Sequence, residues 1–369
     1  MLGPELTFVG TTDVLWKGKR YTFFGGNDYH RLSRHPEVVG ALKGAADEYG
    51  IGSAGSRSTT ANHPIYLALE GAAANFFGTE SASIFSAGYI SNAVLLQAID
   101  GEFTHLFLDE IAHSSLVEAA LQTGLPAARF RHRDAKHLAE QAKEILDRKS
   151  RPLVLSDGVF ASSGEIPPLA DYLAAVASWQ GKLLVDDSHG MAVVGASGKG
   201  AWEEVGVPRE SIYQTGTLSK GLGSFGGIVV GDRKLVDKIH RRSTAFTGST
   251  PIPMPLAAAA LKSFENLAAH PEKVALLRER SVNVKTAFRE LGFRTSPGPG
   301  PICSVTFLDE EKNGLLGQAL EAAGIYPAFI NYPGCPPGGH FRFTMSSAHS
   351  DEEIERLVGT VTGCARRLW

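Results

Sequence analysis

The sequence predicts an α/β protein: a large unit built on a mainly parallel sheet of seven strands, followed by a smaller C-terminal α+β unit. Three observations carry this. Short apolar, β-branched runs alternate with helix-length amphipathic runs between residues 83 and 230, the pattern of strand–helix–strand crossovers. Acidic and small residues stand just past the ends of those runs, where ligands of parallel sheets gather. A proline-rich break, Pro251-Ile252-Pro253-Met254-Pro255, then separates this region from one with a different pattern.

Composition sets the outer bounds. A chain of 369 residues is long enough for about two to three domain-sized units. With 43% hydrophobic and 20% charged residues it has the make-up of a globular protein with a large core. A net charge of −3 argues for neither nucleic acid nor an anionic membrane surface as partner. The three cysteines, Cys303, Cys335 and Cys364, lack metal-type spacing and point to reduced thiols and a cytoplasmic protein. The first residues lack the basic and apolar segments of a signal peptide. No apolar run approaches the roughly 18 residues that would span a bilayer.

Taken in order, residues 1–40 read as an N-terminal arm, with a hairpin at Trp16-Lys17-Gly18-Lys19-Arg20 and a turn at Gly25-Gly26-Asn27-Asp28 leading through His35-Pro36 into a helix. Residues 41–255 form the large unit. Within it, 52–57 is a small-residue loop and 65–77 carries apolar residues at helical spacing. Strands are expected at 83–85, 105–108, 128–131, 153–156, 183–186, 212–214 and 228–230, with helices at 89–99, 116–122, 135–148 and 169–179. Residues 256–369 form the smaller unit: helical over 256–291, extended at 303–308 and 341–345, helical at 315–323 and again from Asp351.

The stretch with the most chemical content is Thr215-Gly216-Thr217-Leu218-Ser219-Lys220-Gly221-Leu222-Gly223. Small residues around one lysine let the backbone approach a bulky anionic ligand, hydroxyls and bare amides can hold a phosphate, and a lysine in such a pocket can lose its proton and form a Schiff base. A glycine-rich surface loop with a solvated lysine has the same composition. Leu183-Leu184-Val185-Asp186-Asp187-Ser188-His189 is a buried-type strand ending in carboxylates, and such a carboxylate needs a partner. A protonated pyridine nitrogen would serve, with His189 near a ring oxygen; a solvated cluster or a metal-ligand pair also fits. His113, after the strand ending at Asp109, could stack on a flat cofactor or cap a helix. Gly88 and Tyr89 open a helix whose free amides suit a phosphate. Arg342 alternates with aromatics and could clamp a carboxylate or pair with a structural acid.

These pieces together resemble the α-oxoamine synthase family of fold-type I pyridoxal-phosphate enzymes. The resemblance rests on Asn27-Asp28-Tyr29, the loop 52–57, Ser86-Ala87-Gly88-Tyr89, Asp109 with His113, Ser156-Asp157-Gly158-Val159-Phe160, Val185-Asp186-Asp187-Ser188-His189-Gly190, Thr217-Leu218-Ser219-Lys220-Gly221 and Arg342 in Arg-Phe-Thr-Met-Ser-Ser-Ala-His, which occur in the family's order. It implies pyridoxal 5′-phosphate (PLP) as cofactor, linked to Lys220, with Asp186 on the pyridine nitrogen, His189 on the ring hydroxyl and His113 stacked on the ring. Thr217 and the amides of Gly88 and Tyr89 would hold the phosphate, while Arg342, Asn27 and Arg57 would meet the substrate. The implied assembly is a homodimer with shared sites, in which Asn27 and the loop around Thr247 and Ser249 reach the partner's site. The implied reaction joins a small amino acid (alanine, glycine or serine) to an acyl-CoA, usually with decarboxylation; the alternative is a PLP enzyme of the same fold acting without CoA.

The chain departs from the family pattern in places. His30-Arg31 stand where small or apolar residues are usual, leaving open whether they meet an anionic substrate group or point to solvent. Ala161 stands where a serine usually follows Val-Phe, and the arm before Asn27 is short. The turn Tyr332-Pro333-Gly334-Cys335-Pro336-Pro337-Gly338 resembles that of several members and does not choose among them.

Overall fold

A computed structural model describes residues 3–331 and 335–369; Tyr332, Pro333 and Gly334 of the turn just mentioned lie outside the described residues. The N-terminal arm is an antiparallel three-stranded ribbon of β1 (Thr7–Val9), β2 (Asp13–Trp16) and β3 (Lys19–Thr22). The expected hairpin joins β2 to β3 through Lys17 and Gly18, whose φ of 49° and 74° suit the right-handed twist of paired strands. Two helices follow, α1 (Pro36–Tyr49) and α2 (Pro64–Phe77). Each starts on a proline, whose missing N–H is no loss in a first turn.

The large sheet is then laid down as β4 (Ser81–Phe85), α3 (Ser91–Ala98), β5 (His105–Asp109), α4 (Ser114–Gln122), β6 (Ala127–Phe130), α5 (Ala135–Ile145), β7 (Pro152–Asp157), α6 (Leu169–Val176), β8 (Lys182–Asp186), α7 (Ala201–Val205), β9 (Ile212–Thr217) and β10 (Gly227–Gly231). Its order is β4-β10-β9-β8-β7-β5-β6, and all seven strands expected from the sequence are in it. Strand β10 runs antiparallel to both its neighbours, and the remaining pairs are parallel. Every residue of β7 is buried, as a parallel sheet covered on both faces requires. Alternate side chains of one strand serve different cores: Val154, Leu183 and Val185 join one apolar cluster, while Leu153, Leu155 and Leu184 join another on the opposite face. Turning any of these strands over by one residue would exchange the two cores.

After β10 come α8 (Arg233–Arg242), α9 (Thr244–Thr247), α10 (Met254–Ala269) and α11 (Glu272–Glu290). The helical stretch 256–291 is thus two helices, broken at His270-Pro271 because the ring of Pro271 denies the helix a hydrogen bond. A small antiparallel sheet of order β11-β13-β12 completes the chain, from β11 (Ile302–Val305), β12 (Phe329–Ile330) and β13 (His340–Thr344), with α12 (Glu310–Ala322) and α13 (Asp351–Leu368) packed on it. Ser350 and Glu353 form a reciprocal capping box that fixes the start of α13. No helix among the described residues is long and apolar enough to cross a membrane.

The two residues that break the family pattern are neither solvent-facing nor open to a substrate. His30 is buried, with Nε2 2.6 Å from the Ala192 carbonyl and Nδ1 2.9 Å from Ser347 Oγ. Arg31 is buried too and donates to the Phe23 carbonyl at 2.8 Å. Its φ of 53° lies in the left-handed region, which a glycine would adopt without strain. His30 thus pins the arm to the body of the protein, while Arg31 ties the arm's own chain together at Phe23 and Gly25.

Candidate active site

The carboxyl ends of β7, β8 and β9 meet the 3₁₀ turn Gly88–Ile90, which leads into α3, around a cavity of about 280 Å³. Lys220, Asp186, His189, His113, Gly88, Tyr89 and Thr217 all line it, as do Asp157, Ser188 and Ser219. Sheet register accounts for the carboxylates: Asp157 and Asp186 are partners on adjacent parallel strands and close the ends of β7 and β8 side by side.

Asp186 is held from several directions. Asn92 Nδ2 donates to Oδ2 at 2.7 Å, Ser115 Oγ donates to the same oxygen at 3.4 Å, and the Ser188 amide donates to Oδ1 at 3.2 Å. Asn92 is itself fixed by the Thr215 hydroxyl, which donates to its Oδ1 at 2.7 Å. Asp157 has fewer donors: its Oδ2 accepts the His113 amide at 2.9 Å. Burial, and then the neighbouring Asp186, push the Asp157 carboxyl up to about 8.

Lys220 lies where burial pulls its amine down to about 8, against the opposing pull of Asp186 and Asp157. An amine so placed exchanges a proton near neutral pH. His189 is fully buried, and burial together with Lys220 and Arg342 holds its imidazole well below the ordinary histidine range, so it is neutral. Its Nδ1 lies 2.5 Å from the hydroxyl of Tyr29. Burial raises that hydroxyl to about 12, so it keeps its proton and can donate to Nδ1, which leaves Nε2 of His189 as the N–H donor. His113 is lowered by burial with a further push from Lys220, against Asp186, and its Nδ1 lies 2.8 Å from Ser115 Oγ.

The phosphate-type elements are also together. A Cβ at Gly88 would come within 2.5 Å of Thr217 Cβ, so only glycine lets the start of the helix close on that strand. The Thr217 hydroxyl lies 2.8 Å from Ser219 Oγ, and the Ser219 amide donates to Thr217 Oγ1 at 3.2 Å.

The remaining predicted residues sit elsewhere. Arg342 does not line the cavity; its Nε donates to the Ala161 carbonyl at 2.8 Å and its Nη2 to Asn27 Oδ1 at 3.0 Å. The Asn27 oxygen is thus engaged by an arginine of its own chain. Arg57 does not line the cavity either: it forks onto Glu70 at 2.5 and 2.9 Å in a buried ion pair and also donates to Asn62 and the Ile84 carbonyl. Thr247 and Ser249 do not line their own chain's cavity; the Thr247 carbonyl accepts from Ser56 and the Ser249 hydroxyl donates to the Phe246 carbonyl. Asp109, flagged at its strand end, is a structural acid bonded to His132 and Tyr172.

Sequence reasoning gave no role to Asn92, Ser115 or Tyr29. Asn92 had a visible signal: with Ser91 it is a polar pair inside the otherwise apolar start of α3, and both are fully buried. A buried polar side chain has to find partners.

The donor set fits PLP. It supplies a carboxylate for a pyridine nitrogen, a neutral imidazole N–H for a ring oxygen, an amine for an aldehyde, and hydroxyls beside a side-chain-free helix start for a phosphate. These features define a fold-type I PLP enzyme.

Residues 20–361 match the aminotransferase class I and II family, and the chain belongs to it. An 8-amino-7-oxononanoate synthase from Methylobacterium sp. (strain 4-46) is 34% identical over 344 residues, 92% of this chain and 86% of that protein. A serine palmitoyltransferase from Caulobacter vibrioides is 30% identical over 352 residues, covering 95% and 87%. In structure the chain is similar to a serine palmitoyltransferase variant from S. paucimobilis bound to a PLP–myriocin aldimine, with a TM-score of 0.89 and 25% identity over 98% of this chain and 92% of that one. Within its family the chain is an α-oxoamine synthase, a PLP-dependent acyltransferase.

Proposed function

We propose that the enzyme joins a small amino acid to an acyl-CoA thioester and releases an α-aminoketone. The observation that carries this is the single cavity holding Lys220, Asp186, His189 and His113 beside the Gly88–Thr217 cradle. When bound there, PLP supplies an electron sink for the carbon bearing the substrate amine. Asp186, oriented by Asn92, Ser115 and the Ser188 amide, would keep the pyridine nitrogen protonated. His189 would donate from Nε2 to the ring oxygen, with Tyr29 fixing that tautomer. His113 would cover one face of the ring. Lys220 would hold the cofactor before the substrate arrives, then take the α-proton on Nζ and return one at the end; an amine shifted to about 8 suits both directions.

In the overall balance, a carbon–carbon bond forms between the amino acid α-carbon and the acyl carbonyl carbon as the thioester carbon–sulfur bond breaks. CoA leaves as the thiol, the carboxylate of the condensed acid leaves as carbon dioxide, and a proton replaces it. Arg342 would bind the amino-acid carboxylate. Three of its donor groups are already placed by Ala161, Asn27 and Thr344, so its guanidinium is oriented before substrate binds. Thr247 and Ser249 would complete the phosphate site of a partner subunit in a homodimer.

The test is free-thiol release from a panel of acyl-CoAs, each with glycine, alanine or serine. Release requiring one amino acid and one thioester together supports the condensation and names both substrates. Spectral perturbation of the cofactor by an amino acid, with no thiol release from any pair, would refute it.

A further inference from the structure

Four successive backbone carbonyls just beyond β7 each accept a hydrogen bond from a side chain of the C-terminal part of the chain. Arg342 Nε donates to the Ala161 carbonyl at 2.8 Å, and Ser304 Oγ to that of Ser162 at 2.6 Å. Ser296 Oγ donates to the Ser163 carbonyl at 3.0 Å, and Lys285 Nζ to that of Gly164 at 3.4 Å. The donors come from β13, β11, the loop before β11, and α11, so residues far apart in sequence converge on one short turn.

The turn is also closed on itself and allows little play. The Phe160 amide donates to the Glu165 carbonyl at 2.9 Å and the Gly164 amide to the Phe160 carbonyl at 2.8 Å. Gly164 has φ of 69°, and a Cβ there would lie 2.3 Å from the Ile302 carbonyl oxygen, while a Cβ at Gly300 would lie 2.1 Å from the Gly164 oxygen. Only glycines permit this approach, so the turn cannot shift without carrying the start of β11 with it. On its other side the turn leads straight back to Asp157, which holds the His113 amide and lines the cavity.

Lys285 is the least expected member. It is 2% exposed, and its ammonium bonds to the backbone carbonyls of Gly164 and Gly298, the latter at 3.3 Å, with no ion pair to an acid among the described residues. A buried ammonium without a counter-ion is costly, and a methionine of similar length would fill the same space without that cost. Holding two loops in register is a use for it that packing alone does not supply.

We propose that residues 161–164 act as a clamp through which the C-terminal part of the chain sets both Arg342 and the Asp157–His113 wall of the active site, and that Lys285, Ser296 and Ser304 are positioning residues for the reaction. The Arg342 half of this rests on the substrate role proposed above; the Asp157–His113 half does not.

The test uses the PLP-loaded enzyme with Lys285→Met, and Ser304→Ala with Ser304→Thr as its rescue. Three readouts are taken: hydrogen exchange of residues 158–165, visible circular dichroism of the bound cofactor, and the steady-state constants for the amino acid. Loss of one placing hydrogen bond is worth about a fivefold change. The expectation is faster exchange across 158–165, an altered dichroism band, and an amino-acid KM raised about fivefold with kcat changed less. A thermal melt of Lys285→Met beside the parent separates positioning from loss of stability, and Ser304→Thr should restore all three readouts. Unchanged exchange in both Lys285→Met and Ser304→Ala would overturn the clamp. Faster exchange with unaltered dichroism, KM and kcat would overturn the positioning role. Should Arg342→Ala leave the amino-acid KM unaltered, the substrate role of Arg342 fails, and exchange with dichroism decides the clamp.

Discussion

Replacing Asn92 with alanine should loosen PLP by about tenfold or more, although Asn92 does not itself line the cavity. Its amide nitrogen donates to Asp186 Oδ2 at 2.7 Å and to Ser115 Oγ at 3.1 Å, and its oxygen accepts from Thr215 at 2.7 Å. The bond to the carboxylate is charge-assisted and fully buried, worth about 1.5 to 3 kcal/mol. The two neutral bonds are worth about 1 kcal/mol each, and they act on folding rather than on the cofactor. With Asn92 gone, Asp186 keeps a long contact to Ser115 and the Ser188 amide on its other oxygen, so the carboxylate is free to turn away from a pyridine nitrogen. Carried onto cofactor binding, the charge-assisted term alone corresponds to roughly tenfold to 150-fold. The assay is titration of apo-enzyme with PLP, followed by absorbance and by quenching of intrinsic fluorescence, beside a thermal melt of the apo form. Loss of melting temperature with a PLP Kd within twofold of the parent would refute the reasoning, because Asn92 would then support the fold and not the carboxylate.

Other perturbations separate competing terms. Gly88→Ala places a methyl group 2.5 Å from Thr217 Cβ, so the helix start must move off the strand; PLP affinity should fall at least about tenfold while the apo protein stays folded by circular dichroism. Arg31→Gly relieves a φ of 53°, worth about 1 kcal/mol, and removes buried charged bonds to Phe23 and Gly25 worth about 1.5 to 3 kcal/mol. The bonds win, and denaturant unfolding should show a net loss of about 1 kcal/mol; a gain in stability would sink that balance. His132 is raised to about 9 because its hydrogen bonds to Asp109 and Glu165 overcome its burial. Its contribution is present below the unfolded value of 6.5 and lost as pH climbs through about 9, up to about 3 kcal/mol. The melting temperature should therefore fall across that window, and His132→Gln should flatten the fall. Lys220→Ala should abolish the visible absorbance of the lysine-linked cofactor and its fixation by borohydride.

The strands were legible because each is short, apolar and bounded by small or acidic residues, and β7 and β8 end in the very carboxylates that line the site. The lysine loop was legible because few folds need so many glycines around one lysine. What escaped was set by contacts distant in sequence. Nothing local to Arg57 announces Glu70, thirteen residues on and nearly two turns into α2, which takes both arms of its guanidinium fork. His30 and Arg31 read as solvent or substrate residues because their partners, Ala192 and Phe23, are set by the fold and not by periodicity. The break at His270-Pro271 was readable, since proline interrupts a helix at the residue before it. β1 was not, with Phe8 exposed and only three residues paired.

The two carboxyls at the carboxyl ends of the sheet's central strands show how the site divides its charges. Asp157 and Asp186 are register partners, and two like charges at that separation cannot both ionise freely in a buried place. Donors decide between them. Asn92, Ser115 and the Ser188 amide converge on Asp186, whereas Asp157 receives the His113 amide. Burial and Asp186 push Asp157 up to about 8, so at neutral pH Asp157 carries a proton. Protonated, Asp157 holds the His113 amide without adding an anion of its own beside the carboxylate meant for the pyridine nitrogen. Asp157→Asn keeps the acceptor for the His113 amide and removes the titration. It should therefore leave activity near pH 7 within about twofold of the parent, while raising the activity retained above pH 8, where the parent would acquire the second charge. A large loss at neutral pH in Asp157→Asn, with PLP still bound, would mean that Asp157 works as an anion and that the division of charge runs the other way.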